Sequence, residues 1–240
     1  MPRAEASLFP DLPPTSNRVR ITPMMEQYLR AKQENPDAIL FFRLGDFYEM
    51  FFEDAERAAP ILEVALTSRS KKDEDAIPMC GVPFHAVQPY IRKLLAAGLK
   101  VAICDQVQDA AEAKGLVERA IVRVVTPGTV TEEECLDPNA PNYLVAITRG
   151  DAVGLAALDL SAGEVRIVPV ADAAELVDEL ARLAPRELLL AADADLDEQI
   201  RTALPDVLVS IVAAESFAAG TAVDWLRNAH ALSLIHISEP

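Results

Sequence analysis

The sequence has little of several things, and each shortage narrows what it can be. No apolar stretch approaches the roughly 18 uncharged residues of a membrane span. The first residues, MPRAEASLFPDLPP, lack the basic start and apolar core of a secretion signal. A cytoplasmic location is expected. Cysteine is scarce, and Cys80, Cys104 and Cys135 are an odd, widely spaced set without a Cys-x-x-Cys pair. That argues against a disulfide framework and a thiolate zinc site, and for reduced, partly buried thiols. Basic side chains are short too: 22 against 38 acidic ones, a net charge of −16. Taken whole, that charge argues against a nucleic-acid partner, because phosphate contacts rely on a basic surface. What is there is a globular composition, 51% hydrophobic and 25% charged over 240 residues, enough for one large or two modest domains. No repeat or low-complexity tract interrupts it.

The charge is unevenly placed. Residues 1–17 carry one basic and two acidic groups, 18–127 carry 15 and 16, and 128–240 carry 6 and 20, for net charges of −1, −1 and −14. All six lysines (Lys32, Lys71, Lys72, Lys93, Lys100, Lys114) fall in the middle segment. The average therefore hides a near-neutral region with lysines to place on phosphates and a strongly acidic one with none.

Residues 1–17, with four prolines, read as a flexible leader. Thr22-Pro23 starts a helix, Thr as N-cap and Pro where its missing N–H is not needed, and Asn35-Pro36 stops it. Ala38 to Phe42 is a short apolar strand, punctuated by Gly45, and Asp46 to Phe51 continues in extended alternation. From Glu53 the spacing turns helical through Leu66, with a kink or late start expected at Pro60. Ile77 to Pro83 (IPMCGVP) is too rich in Pro and Gly for a regular element and reads as a rigid turn. Pro89 to Ala97 is a helix closed by Gly98; Lys100 to Cys104 and Ala120 to Val125 are strands. Thr126-Pro127-Gly128-Thr129 breaks the pattern and marks a domain boundary. Beyond it come strands at Tyr143–Ile147, Val153–Leu160 and Glu164–Val170, a helix at Ala173–Leu183, a strand at Glu187–Leu190, a helix at Leu196–Leu204 and a strand at Val207–Val212. A meander followed by alternating helix and strand predicts an α/β domain with a mixed sheet.

Gly45-Asp46-Phe47-Tyr48-Glu49 is poor core material. In an extended chain Phe47 and Glu49 share one face, and the ring wants burial while the carboxylate does not. One use for such a pair is a wedge: an aromatic ring inserted between base steps from the minor groove, beside a group that bonds a base edge. The other reading packs Phe47 in the core and pairs Glu49 with an arginine. These five residues alone leave both open.

The longer motifs decide more. TPMMEQYL (Thr22–Leu29), LFFRLGDFYEMFFEDA (Leu40–Ala55), IPMCGVPFHAVQPYIRKLLAAG (Ile77–Gly98), VAICDQ (Val101–Gln106) and VERAIVRVVTPGT (Val117–Thr129) resemble, in order and spacing, the N-terminal mismatch-recognition domain of the bacterial MutS mismatch-repair family. Residues from about 130 on, with PNYLVAI, resemble more loosely the family's connector domain. The resemblance implies an α/β fold: a mixed-sheet recognition domain at 18–129, then a ribonuclease-H-like connector without nuclease activity at 130–231, incomplete. It places the family's Phe-x-Glu motif on Phe47 and Glu49, and so implies recognition of mismatches and small loops in duplex DNA. Arg69, Lys71 and Lys72 are the first candidates for phosphate contact, with Arg43 and Arg119 behind them. Asp105 departs from the motif, where a longer acid is commoner. His85, in VPFHAV, has no nucleophile motif beside it and reads as a hydrogen-bonded structural residue; Cys80 lacks the electropositive setting of a reactive thiol.

A different class of function, a metal-dependent hydrolase using Asp46, Glu49, Glu53 and Asp54, needs that stretch to be helical, against its strand-like texture. A third reading treats residues 130–231 as a protein-interaction module, which is compatible with the first. The family resemblance further implies a homodimer that partners the MutL repair protein, near the nucleoid, with ATP and Mg²⁺ used by a C-terminal ATPase. No Gly-x-x-x-x-Gly-Lys-Ser/Thr occurs in this chain, so no cofactor and no catalytic residue are expected in it. Residues 232–240 (LSLIHISEP) look like translated sequencing adapter, and no functional role is expected of His236.

Overall fold

The computed structural model describes residues 22–68, 76–108, 115–149, 153–192, 194, 198–218 and 220. The leader, the loop holding Arg69, Lys71 and Lys72, and residues 232–240 lie outside them. Two compact units divide the chain: one runs through His85 and takes in Ile103–Val122, the other comprises Ala86–Ala102 and the chain from Arg123 on. The fold is α/β, built on two sheets. No helix among the described residues is long and apolar enough to cross a membrane.

Helix α1 (Pro23–Glu34) begins as its sequence demands: Met25 N–H donates to the Thr22 hydroxyl at 3.3 Å, and Pro23 occupies the first position. Strand β1 (Ala38–Leu44) follows, its first five residues essentially inaccessible. A two-residue turn, Gly45-Asp46, returns the chain as β2 (Phe47–Phe51), antiparallel to β1, with Leu44 opposite Phe47, Arg43 opposite Tyr48 and Phe42 opposite Glu49. Gly45 takes φ +57° and Asp46 does not, so the first turn position is left-handed, as hairpins with a glycine there prefer.

Helix α2 (Phe52–Leu62) starts directly at the end of β2 and runs unbroken past Pro60. The late start expected there does not occur. Pro60 falls in the last turn, so only one backbone bond is forgone before the left-handed cap at Glu63 ends the helix. Phe52 itself has φ +53°, a strained conformation for a bulky residue, where strand turns into helix.

Strand β3 (Thr67–Ser68) is short, and β4 (Pro78–Pro83) corrects the expectation of an irregular turn. This segment is a regular strand paired antiparallel to β2, with Phe51 opposite Met79, Met50 opposite Cys80, Glu49 opposite Gly81, Tyr48 opposite Val82 and Phe47 opposite Pro83. Its prolines are at the two ends, where missing N–H groups disturb the ladder least, and Cys80 and Val82 alternate into the core. Helix α3 (Gln88–Ala96) is followed by Gly98 at φ +74°. Strands β5 (Lys100–Gln106) and β6 (Arg119–Val125) complete a sheet of order β3-β4-β2-β1-β5-β6.

In the second unit β7 (Tyr143–Arg149), β8 (Val153–Asp159) and β9 (Glu164–Val170) form the expected antiparallel meander. Helix α4 (Ala173–Leu183) is capped by Asp172, whose carboxylate accepts from Ala174 and Glu175 N–H at 2.9 Å. Strand β10 (Glu187–Ala191) is parallel to β7, helix α5 (Glu198–Ala203) follows, and β11 (Leu208–Val212) is parallel to β10. The order β11-β10-β7-β8-β9 makes a mixed sheet, and Leu176, Leu180 and Leu183 of α4 with Ile200 of α5 pack on its Val145–Leu155–Leu188 face.

Candidate nucleic-acid interface

The first unit is pinned by a buried carboxylate. Asp54, 2% exposed, accepts from the Leu40 N–H at 3.0 Å, the Tyr28 hydroxyl at 3.3 Å and the Lys32 ammonium at 2.8 Å. Lys32 also donates to the Ala38 carbonyl at 2.6 Å, and the Tyr28 hydroxyl to that of Phe51 at 3.1 Å. One acidic side chain thereby joins α1, the start of β1 and the β2–α2 junction. The Tyr28 ring stands edge-on to Phe42 and Phe51, and burial first, then the Asp54 charge, push its hydroxyl far above the ordinary tyrosine range.

From this anchored end the cover over one face of β2 fades towards the turn. Phe51 is buried, Glu49 half-buried, and Phe47 is 47% exposed. Tyr48 and Met50 alternate to the other face and are buried. Phe47 and Glu49 thus share the outward face as period-two geometry requires, and Phe47 is not a core residue. Gly81, opposite Glu49 on β4, flanks the pair. A Cβ there would stand 3.5 Å from Glu49 Cγ and 3.9 Å from Phe47 Cδ1, so glycine keeps the ground beside both side chains open.

The far side of the hairpin is braced. Arg43 projects with Tyr48, away from Phe47, and is only 16% exposed. Its guanidinium lies 3.3 Å over the Phe84 ring, its Nε donates to the Gly45 carbonyl at 2.5 Å, and it approaches Asp105 at 3.7 Å. Asp105 accepts the Tyr48 hydroxyl at 2.9 Å, and Phe84 N–H donates to the Asp46 carbonyl at 3.0 Å. Burial and then Asp105 push the Tyr48 hydroxyl up to about 12. Arg119 is also turned inward: it donates to the carbonyls of Arg43 (2.6 Å) and Val117 (2.8 Å) and to Gln27 (3.2 Å). Burial lowers its proton affinity, yet a guanidinium stays charged.

Two family models match the chain, MutS domain I over residues 22–134 and MutS domain II over residues 142–230. The chain belongs to the MutS family. A protein of Syntrophobacter fumaroxidans called DNA mismatch repair protein MutS is 53% identical over 177 residues, covering 72% of this chain and 20% of its own. Proteins of the same name from Sorangium cellulosum and Staphylococcus haemolyticus are 48% identical over 229 residues and 43% over 211, covering 91% and 87% of this chain. Each of those alignments takes in 24% of the relative, so the chain spans about a quarter or less of the MutS proteins it resembles. The MutS domain I match contains the whole hairpin, its β4 neighbour and the brace; the domain II match contains the five-stranded sheet.

The remaining candidates are placed as follows. Arg69, Lys71 and Lys72 lie outside the described residues. His85 is solvent-exposed and edge-on to Phe84 at 5.8 Å, and among the described residues no hydrogen bond to it is seen. It follows β4 at the rim, where the backbone bonds of the strand have ended. Cys80 is buried with its Sγ 3.7 Å from the Ala55 carbonyl, and burial, then Asp54, push its thiol up to about 11. Burial does the same for Cys104, and Cys135 is raised as well. These are poor nucleophiles at neutral pH.

The hydrolase alternative is not favoured. Asp46 is in the turn, Glu49 on a strand and Glu53 on a helix, and Asp54 is engaged in the buried network, so helical spacing never gathers them. Among the described residues no group of three or more His, Cys, Asp or Glu converges as metal ligands. No Gly-x-x-x-x-Gly-Lys-Ser/Thr phosphate-binding loop, which would hold ATP and Mg²⁺, occurs in the sequence. Sequence reasoning missed the brace and Gly81, because their roles depend on the β2–β4 pairing, for which alternation in Cys80-Gly81-Val82 was the only local sign.

Proposed function

We propose that the hairpin Leu44–Phe51 reads mismatched or looped-out sites in duplex DNA, with Phe47 as a minor-groove wedge and Glu49 contacting the displaced base. The supporting observation is the exposed Phe47 ring at the end of a braced hairpin, beside a half-buried carboxylate and a glycine. Separating a base step costs a few kcal/mol, least where pairing is already defective, so a ring offered to every step enters at the defect. Deformability, more than base identity, is what such a wedge reads. Glu49 accepts a hydrogen bond from the displaced base or, protonated as phosphates crowd its anion, donates one to a purine acceptor. In normal duplex the same carboxylate repels the phosphates. Backbone affinity falls to the lysine-bearing segment, with Arg69, Lys71 and Lys72 as the contacts.

As a MutS relative, the chain belongs to the start of mismatch repair. Homodimerisation, partnership with MutL, ATP use by regions of the relatives that this chain does not span, and a cytoplasmic, nucleoid-associated setting are parts of the same proposal. The test is duplex binding at fixed salt, with a G·T mismatch against the matched sequence. The wild-type chain should prefer the mismatch and Phe47→Ala should bring the ratio to about one, whereas Glu49→Gln should tighten matched-duplex binding. Equal ratios for wild type and Phe47→Ala would remove Phe47 from the role.

A further inference from the structure

We infer that Arg43 is the positioning residue of the Phe47 hairpin and makes no phosphate contact, acting as a clasp that holds the turn from behind. The inference rests on the wedge reading of Phe47 for its functional consequence, and on geometry alone for the clasp. In register Arg43 pairs with Tyr48, so its side chain leaves the sheet on the face opposite Phe47 and Glu49. There it is mostly covered, and its Nε–H and one terminal nitrogen face groups of the hairpin and its neighbours. The guanidinium Cζ lies 3.3 Å from the centre of the Phe84 ring, a cation–π contact. Nε donates to the carbonyl of Gly45, the residue on which the hairpin reverses, at 2.5 Å. The Nη1 side faces Asp105, which is itself held by the Tyr48 hydroxyl and by the N–H of Gln106 at 2.8 Å. From the other side Arg119 donates to the Arg43 carbonyl.

This arrangement has a reason in the chemistry of a wedge. A ring that must enter a base stack is pushed back by the stack, and a two-residue turn at the open end of a hairpin is the softest place in the sheet. Three groups restrain it: the Gly45 carbonyl through Arg43, the Asp46 carbonyl through Phe84 N–H, and the Phe84 ring that Arg43 covers. Only a planar, forked cation both stacks on a ring and donates sideways; a lysine ammonium does one or the other. Charge alone at position 43 is therefore insufficient.

Arg43→Lys, which keeps the charge, separates a clasp from a phosphate contact. On mismatched and matched duplexes over a series of salt concentrations, Arg43→Lys and Arg43→Ala should both lose most of the mismatch preference, approaching Phe47→Ala, while the dependence of log K on log salt keeps its wild-type slope. A phosphate contact would instead lower that slope by about 0.9 in Arg43→Ala and leave the mismatch-to-matched ratio as in wild type. That result, or an unchanged ratio in Arg43→Lys, overturns the inference. If the wild-type chain shows no mismatch preference, the wedge reading fails on its own, and the clasp is then judged by hydrogen exchange in the free chain. Arg43→Lys should speed exchange at Phe84 and across Leu44–Phe47 by about tenfold without changing exchange in the core of α1; no acceleration there overturns it.

Discussion

The most deeply buried carboxylate of each unit, Asp54 in the first and Glu187 in the second, is stabilised in a different way. In the first unit Asp54 meets a cation, Lys32, along with a tyrosine hydroxyl and a backbone N–H. In the second, Glu187, 2% exposed, has among the described residues neutral donors alone: the Thr126 hydroxyl and Gly128 N–H (3.1 Å) on one oxygen and the Ser210 hydroxyl (2.5 Å) on the other. Residues 128–240, the part of the second unit that holds Glu187, carry 20 acids and 6 bases, whereas the unit's lysines, Lys93 and Lys100, are in its Ala86–Ala102 segment. Where cations are scarce, a buried acid is solvated by hydroxyls and amides, and what it gains is a docked turn. Thr126-Pro127-Gly128-Thr129 is fastened to β10 and β11 this way, with Asn142 donating to the Pro127 carbonyl at 2.9 Å. Gly128 is required there because a Cβ would lie 2.8 Å from Glu187 Cβ and 2.9 Å from Leu144 Cδ1.

The comparison can be broken at either end. Asp54→Ala leaves a half-covered ammonium, a hydroxyl and an N–H without their shared acceptor, and should lower the stability of the first unit by about 3–5 kcal/mol in urea unfolding. A loss below about 1 kcal/mol would mean that the network is incidental. Gly128→Ala should come next, at about 1–3 kcal/mol, because the neighbours that must yield are a strand side chain and a bonded carboxylate. Were it neutral by the same measurement, the docked turn would not be a tight fit. Glu187→Gln should be milder, about 1 kcal/mol, since one amide oxygen remains to accept and no cation is stranded. If Glu187→Gln proved as damaging as Asp54→Ala, the distinction between cation-paired and neutrally solvated acids would not hold.

The smallest effect concerns a third acid, Asp159, at the β8–β9 turn. Burial pushes its carboxyl up, but the Ser161 hydroxyl (2.6 Å) and the N–H groups of Asn142, Ser161 and Ala162 outweigh that and leave it below the ordinary range. A group depressed by folding stabilises above its unfolded value near 3.9, and that stability is lost as pH falls through the folded value. As pH falls below about 5 the second unit should therefore lose stability, and Asp159→Asn should flatten that part of the profile. Identical acid profiles for the two proteins would show that these bonds do not favour the anion.

Much of the fold could be read locally. The bounds expected for α4 and β9 match those observed, because the Asp172 cap and the turn after Asp159 are written in adjacent residues. The reading of IPMCGVP as a turn failed because Pro and Gly are strand-breakers in isolation, whereas at a strand's ends and beside an exposed pair they are tolerated. Phe47 and Glu49 were legible as an odd couple in an apolar stretch. That Arg43 faces the other way was not, since facing depends on the register of a hairpin and on Phe84, far along the chain.

The sequence by itself determined the order and type of most of the elements, the split between a near-neutral and an acidic region, and membership of the MutS family, carried by periodicity, turn chemistry and long ordered motifs. The tertiary structure decided which side of the hairpin is open, which arginines turn inward, and how each buried acid is satisfied. Those are questions of burial and pairing between residues distant in sequence, and no local pattern encodes the partner that burial supplies.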